Sequence, residues 1–193
     1  MNRLLIILSL LLAGMGMGRA QEFKEGLLYD LHGNVKEMKL STKNSFLKKH
    51  VKFRDNGKLK KSITFFDDDN YPLGFDMSMN VMSFAMSQKV EYDSCRRITS
   101  VTDKNSYDGG ITTTTSNYYG NEAAPSEITR SVFASISKDG EVTADCEYSG
   151  YVYDDHGNWI SRQVKHTATR TDKKGVTEEG IAEYTETRTI KYF

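Results

Sequence analysis

Apolar and polar residues alternate along most of the chain. Leu59, Ile63 and Phe65 fall on one side of a two-residue period, with Lys58, Lys60, Ser62 and Thr64 on the other. Ile128, Val132, Ala134 and Ile136 alternate with Glu127, Thr129, Ser131 and Ser135, and Phe133 interrupts the polar side. Val142, Ala144, Cys146, Tyr148 and Val152 alternate with Thr143, Asp145, Glu147 and Ser149. Period two with one polar face is the pattern of antiparallel strands solvated on one side. The Thr-rich run 110–116 reads as a weakly apolar strand near a sheet edge. The last two strands, Trp159 to Thr171 and Val176 to Tyr192, are long and pair around Asp172, Lys173, Lys174 and Gly175. In 72–90, Phe75, Met79, Met82, Met86 and Val90 recur at helical spacing, while Phe75, Met77 and Met79 alternate as in a strand. We read it as strand-turn-strand about Asn80, with a helix covering the sheet as the other reading.

A turn repeats between the strands. Tyr29-Asp30-Leu31-His32-Gly33-Asn34-Val35 returns as Tyr153-Asp154-Asp155-His156-Gly157-Asn158-Trp159, with five of seven positions identical. The same frame fits residues 53–59 and 136–142, and fits 66–72 and 92–98 with Asn70 and Arg96 in place of Gly. Each copy predicts a β-hairpin: an apolar residue closes the incoming strand, Asp or Asn caps the turn, and Gly takes the left-handed conformation at no steric cost. Asn adopts that conformation readily, whereas Arg96 is expected to strain it. The sum is an all-β antiparallel meander of roughly 10–12 strands, and open sheets of that size curl or split. The expected architecture is a curled open sheet or an incomplete barrel.

The aromatic-Asp-x-x-Gly frame, carried best at Tyr29 to Val35 and Tyr153 to Trp159, resembles the YD-type repeats of Rhs proteins and the similar hairpins of small exported proteins of gram-negative bacteria. That resemblance implies a fold built of hairpins and no catalytic residue. The chain is far too short to enclose a toxin as the large shells do.

The amino terminus changes the picture of where the protein works. Asn2-Arg3, an apolar run from Leu4 to Ala13 broken by Ser9, and Gly18-Arg19-Ala20 have the layout of a secretory signal peptide. Residues 1–20 are therefore assigned to a leader and 21–193 to a single domain, with no Pro/Gly/Ser-rich linker inside it. Neither cysteine lies near the cleavage site, so an amino-terminal lipid anchor is not expected. No second apolar stretch approaches the length of a transmembrane helix. The expected location is the periplasm or the extracellular space.

The whole chain has 26 basic and 26 acidic residues; losing Arg3 and Arg19 with the leader leaves a charge of −2. Nucleic acid is a poor partner for such a surface. Without the leader the chain is only about one-third apolar, below the globular average, so a thick core is hard to fill. The 11 Tyr and 9 Phe compensate in part and argue against disorder.

Candidate chemistry is sparse, and no cofactor is implied. Cys95 and Cys146 are the only cysteines, and an exported pair permits one disulfide as readily as two separate thiols. His32 and His156 hold the same turn position; His50 and His166 complete the histidines, and no metal-ligand spacing joins them. Asp67-Asp68-Asp69-Asn70 lacks the central Gly and closing Glu of a calcium loop and reads as a solvated turn. Met77, Met79, Met82 and Met86 have spacings that suit Cu(I), but they suit adaptable core filler better. No metal site is assigned.

Tyr118, Tyr119, Tyr151, Tyr153 and Trp159 either close hairpins over a thin core or form an exposed platform for sugar rings or a partner protein. Tyr151, Tyr153 and Trp159 are the nominal ligand contacts, because they flank the strongest copy of the turn. The functional expectation is noncatalytic binding or structural work in the cell envelope or outside. Its partner would be an envelope protein or a glycan. The second reading is an exported hydrolase acting on glycan or peptide, with its residues unassigned.

Overall fold

The computed structural model describes residues 23–42, 48–60, 63–79, 84–106, 110–120 and 127–193. The leader 1–20, the turn at Asn80 and Met82 lie outside the described residues. A 3-10 helix, Glu25–Tyr29, precedes eleven strands: β1 Val35–Thr42, β2 Lys48–Lys52, β3 Phe65–Phe66, β4 Pro72–Met79, β5 Phe84–Tyr92, β6 Ile98–Asn105, β7 Ile111–Tyr119, β8 Ile128–Ser137, β9 Gly140–Tyr153, β10 Trp159–Asp172 and β11 Thr177–Tyr192. All eleven belong to one antiparallel sheet, in the order β2-β1-β11-β10-β9-β8-β7-β6-β5-β4-β3. From β3 onward each strand pairs with the next, and the amino-terminal hairpin is added to the carboxy-terminal strand, Met38 opposite Ile190. The sheet is a meander that is not closed into a barrel, as the alternation and turn spacing predict. Within residues 72–90 the described residues are strand, β4 and β5, and not helix.

The turn chemistry is local and repeats. Asp67, Asp93, Asp154 and Asp172 each accept two backbone N–H groups on Oδ1, from the residues two and four places on, at 2.8–3.0 Å. This double Asx contact holds the third residue after the Asp in the left-handed region: Asn70, Arg96, Gly157 and Gly175. Arg96 adopts φ 61° despite its side chain, and its guanidinium reaches Asp67 at 2.9 Å in the neighbouring turn. The frame at 92–98 therefore holds where strain was expected.

Two copies of the frame are not such hairpins. No strand leads into Tyr29–Val35: Tyr29 ends the 3-10 helix, and the segment is a corner that delivers the chain to β1. Between β8 and β9 only Lys138 and Asp139 connect the strands, a tighter link than the frame implies, with Gly140 already paired to Ser137. Residues 58–65 are not one strand either; among the described residues Leu59 forms a lone bridge to Phe53, and Ile63 and Phe65 are exposed. The Thr-rich strand β7 lies inside the sheet between β6 and β8, not near an edge. Thr102 with Thr114, and Thr113 with Ser135, pair through their hydroxyls across it, which satisfies polar groups without an apolar face.

Register decides which face turns inward. β9 points Ala144, Cys146 and Tyr148 to the concave side, as expected, and these lie opposite Ala168, His166 and Val164 of β10. Ser131 and Phe133 of β8 face Cys146 and Ala144, so β8 turns its predicted polar side inward and Ile136 is 56% exposed. An extra residue in β9 near Gly150 shifts the pairing between Ser149 and Val152. That bulge brings Tyr151 inward in place of Val152, which is exposed.

The apolar core is small and sits to one side. Leu31, Val35, Met38, Val51 and Phe53 are buried together, with Tyr29, Leu40, Leu59, Ile190 and Tyr192 packed on them. Asn158 is fully buried between the two best copies of the repeat. Its Oδ1 accepts the His32 N–H at 2.7 Å, and its Nδ2 donates to the His32 carbonyl at 2.9 Å and to the Tyr192 hydroxyl at 2.8 Å. A side-chain amide thus pairs with a backbone amide, and the first copy docks on the second.

The two sheet edges are tied together at one end. The chain crosses from edge strand β2 to edge strand β3 through residues 53–64, and residues 23–25 clip over that crossing. The Phe23 N–H donates to the Asn56 carbonyl at 2.8 Å and the Lys24 N–H to the Asn70 carbonyl at 3.0 Å. Glu25, fully buried, accepts the Leu59 N–H on Oε2 and the Thr64 hydroxyl on Oε1, both at 2.7 Å. Gly57 permits the approach, since a Cβ there would fall 2.1 Å from the Phe23 carbonyl oxygen.

Candidate functional site

The curl encloses a cavity of about 600 Å³ between the concave face and the 3-10 segment. Its walls come from both ends of the sheet order: Met38, Leu40 and Lys49 from β1 and β2, Gln88, Val101 and Asp103 from β5 and β6, with Leu27, Leu28 and Tyr29 crossing over them. The remaining lining is mixed, from Thr115 and Asn117 through Ser131 to Tyr148 and Arg162. A cavity this size, part apolar and part polar, falls in the range of small-molecule sites.

A charged and aromatic cluster forms one side of it. Arg162 donates through Nε to Glu186 Oε2 at 2.7 Å and through Nη1 to the Tyr151 hydroxyl at 3.1 Å. Its guanidinium lies 3.7 Å from the Tyr148 ring centroid and 4.1 Å from that of Trp159. Burial opposes its charge, but Glu186, Tyr148 and Tyr151 outweigh that, and the pKa is raised. Arg188 covers Trp159 at 3.4 Å and donates to the carbonyls of Tyr29 and Asp30 at 2.7 and 2.9 Å. Burial pulls its pKa down to about 10, which leaves it a cation at neutral pH. The Trp159 indole N–H donates to Asp30 Oδ2 at 2.7 Å.

This arrangement corrects the nominal contact set. Trp159 is 3% exposed, held between two arginines and Asp30, and is an interior residue rather than part of a surface platform. The reason is the 3-10 segment, which lies over it and supplies Asp30. Tyr151 is half-buried, its hydroxyl donating to the Ile128 carbonyl, and burial moves its pKa up to about 12. Tyr153 is exposed and stacks on Tyr151 at 5.7 Å. It alone of the three presents a ring to solvent.

The cysteines are free thiols in this structure. Cys95 is exposed in the β5–β6 turn at the cavity wall, and Cys146 lies in mid-strand opposite His166. Burial pushes the Cys146 thiol pKa up, which disfavours the thiolate needed for exchange. The structure records no bridge between them: one thiol lies inside β9 and the other in a turn. Thiol counting on unreduced, unfolded protein is expected to find two reactive groups; a count of zero would refute this geometry.

His32 and His156 are brought near each other only through Asn158, and His156 stacks on Tyr192 at 3.8 Å. Among the described residues no group of three or more His, Cys, Asp or Glu side chains is placed to hold a metal ion. No helix among them is long and apolar enough to cross a membrane. The residues that shape the cavity, Lys49, Asp103, Arg162 and Arg188, were not singled out from the sequence. Their signal is a charge at an inward position of a period-two strand, as Arg162 is beside Val164 and Arg188 beside Ile190. Compared with protein-family models, with curated proteins and with solved structures, the chain matches none.

Proposed function

We propose that this is an exported, noncatalytic binding protein whose ligand is a small molecule held on the concave face of the sheet. The observation that carries the reading is the cavity itself: about 600 Å³, walled by strands from both ends of the sheet and crossed by residues 27–30. A core that is short of apolar residues would normally be filled by side chains. Here the inward positions carry Ser131, Asn117 and Thr115, too small to fill the space and able to hydrogen-bond a guest. The two lining carboxylates are engaged by neutral donors, Asp30 by Trp159 and Asp103 by Gln88, an arrangement that suits binding more than acid–base chemistry. Export rests on the leader-like first 20 residues and places the ligand in the periplasm or outside.

Uptake of a neutral solvatochromic dye tests the site. The purified protein is expected to bind the dye saturably with a blue-shifted emission. Leu40→Trp and Val101→Trp, on opposite walls, are expected to reduce binding strongly by filling the cavity. Dye binding that neither substitution changes, or no binding at all, would remove the reading.

A further inference from the structure

Within that cavity Lys49 and Asp103 carry opposite charges, and neither forms an ion pair with another side chain among the described residues. Lys49, on edge strand β2, and Asp103, on β6, both line it and both are reached by solvent. The Lys49 ammonium rests over the Tyr29 ring at 4.3 Å, and among the described residues no carboxylate pairs with it. Asp103 accepts the Gln88 amide on Oδ1 at 2.9 Å. The two lie on walls contributed by different halves of the sheet, close enough for each to feel the other's field yet not in contact.

Three of the other cations around the cavity sit in ion pairs. Arg162 pairs with Glu186 at 2.7 Å, Arg96 with Asp67 at 2.9 Å and Arg97 with Asp93 at 2.6 Å. Arg188 donates through both terminal nitrogens to two backbone carbonyls, with its Nε buried and without a partner, and Asp30 accepts from the Trp159 indole. The same cavity also presents apolar side chains, among them Met38, Leu40, Val101 and Leu27. Desolvation and the nearby Arg188 lower the Lys49 pKa, and Asp103 acts in the opposite direction.

We propose that the cavity binds a small zwitterion with an apolar side chain, an amino acid or a short peptide, its carboxylate on Lys49 and its ammonium on Asp103. An inward pair of opposite charges that do not touch each other is complementary to a ligand that carries one charge of each sign. An organic anion alone would leave Asp103 unmatched, and an organic cation would leave Lys49 unmatched; each unmatched charge weakens binding by its desolvation.

The inference rests on the cavity being the binding site, and the test separates the two. The probes are the dipeptide Leu-Phe, its N-acetyl form, its carboxamide, and free phenylalanine, titrated calorimetrically into the purified protein. Leu-Phe or phenylalanine is expected to bind, and blocking either terminus is expected to weaken the dipeptide by about tenfold or more. Lys49→Met should erase the difference between dipeptide and carboxamide, and Asp103→Asn that between dipeptide and N-acetyl form. Dye uptake by each variant verifies that its cavity is intact. Dye binding without binding of any zwitterion overturns this ligand class and leaves the cavity reading standing. Loss of both overturns both, and blocked forms that bind as well as the zwitterion overturn the proposal alone.

Discussion

Glu186→Ala is expected to destabilise the protein by about 3–5 kcal/mol, the range for removing one partner of a buried ion pair. Glu186 and Arg162 are both buried in the middle of β11 and β10, and the guanidinium contacts the carboxylate through Nε and Nη2 at 2.7 Å each. Without Glu186 the cation stays enclosed by Tyr148, Tyr151 and Trp159, with aromatic faces and one hydroxyl as its remaining partners. Replacing both residues by Met should recover most of the loss, because a buried pair contributes little net stability over an apolar substitute of similar volume. Urea unfolding followed by the single tryptophan, which contacts Arg162 directly, measures both. A single variant that loses less than about 1 kcal/mol, the scale of an exposed pair, would show that water reaches this site freely.

Glu25→Ala is expected to cost about 3 kcal/mol, from two hydrogen bonds to a buried carboxylate. The larger consequence is mechanical. The Leu59 N–H and the Thr64 hydroxyl flank the gap between the edge strands, and Glu25 holds one with each oxygen. Losing it should free residues 23–25 from the turns at Asn56 and Asn70 and raise hydrogen exchange at the Phe23, Lys24 and Leu59 amides. Glu25→Gln, which keeps one acceptor oxygen, should lie between. If Leu59 keeps its protection in the alanine variant, the backbone bonds of Phe23 and Lys24 hold the edges by themselves.

Much of the fold was legible because its causes are local. The Asp-to-backbone bonds at Asp67, Asp93, Asp154 and Asp172 close within five residues, so a recurring Asp with a left-handed residue three places on marks a turn even where that residue is Arg96. The two good copies of the repeat show the limit of that reasoning. Tyr153–Trp159 is a hairpin because β9 and β10 flank it, whereas Tyr29–Val35 shares five of its seven residues and has no incoming strand.

The candidate site was hardly legible. Tyr151, Tyr153 and Trp159 share a neighbourhood, but exposure separates them, and it depends on Asp30, 129 residues from Trp159 in the chain. Lys49 and Asp103 face one cavity because β1 pairs with β11 and the sheet then curls, and neither contact leaves a trace near those residues.

By itself, then, the sequence determined most of the strands and turns from β4 to β11 and their antiparallel order. Alternation and turn chemistry act over two to five residues, and neighbouring strands joined by short turns have little choice but to pair. The tertiary structure decided which face of β8 looks inward, where Trp159 goes, and that residues 23–34 bridge the edges and cap the curl. Those outcomes come from contacts between distant segments, Asp30 with Trp159 and His32 with Asn158 among them, which act across more than a hundred residues and leave no mark on the local alternation of a strand.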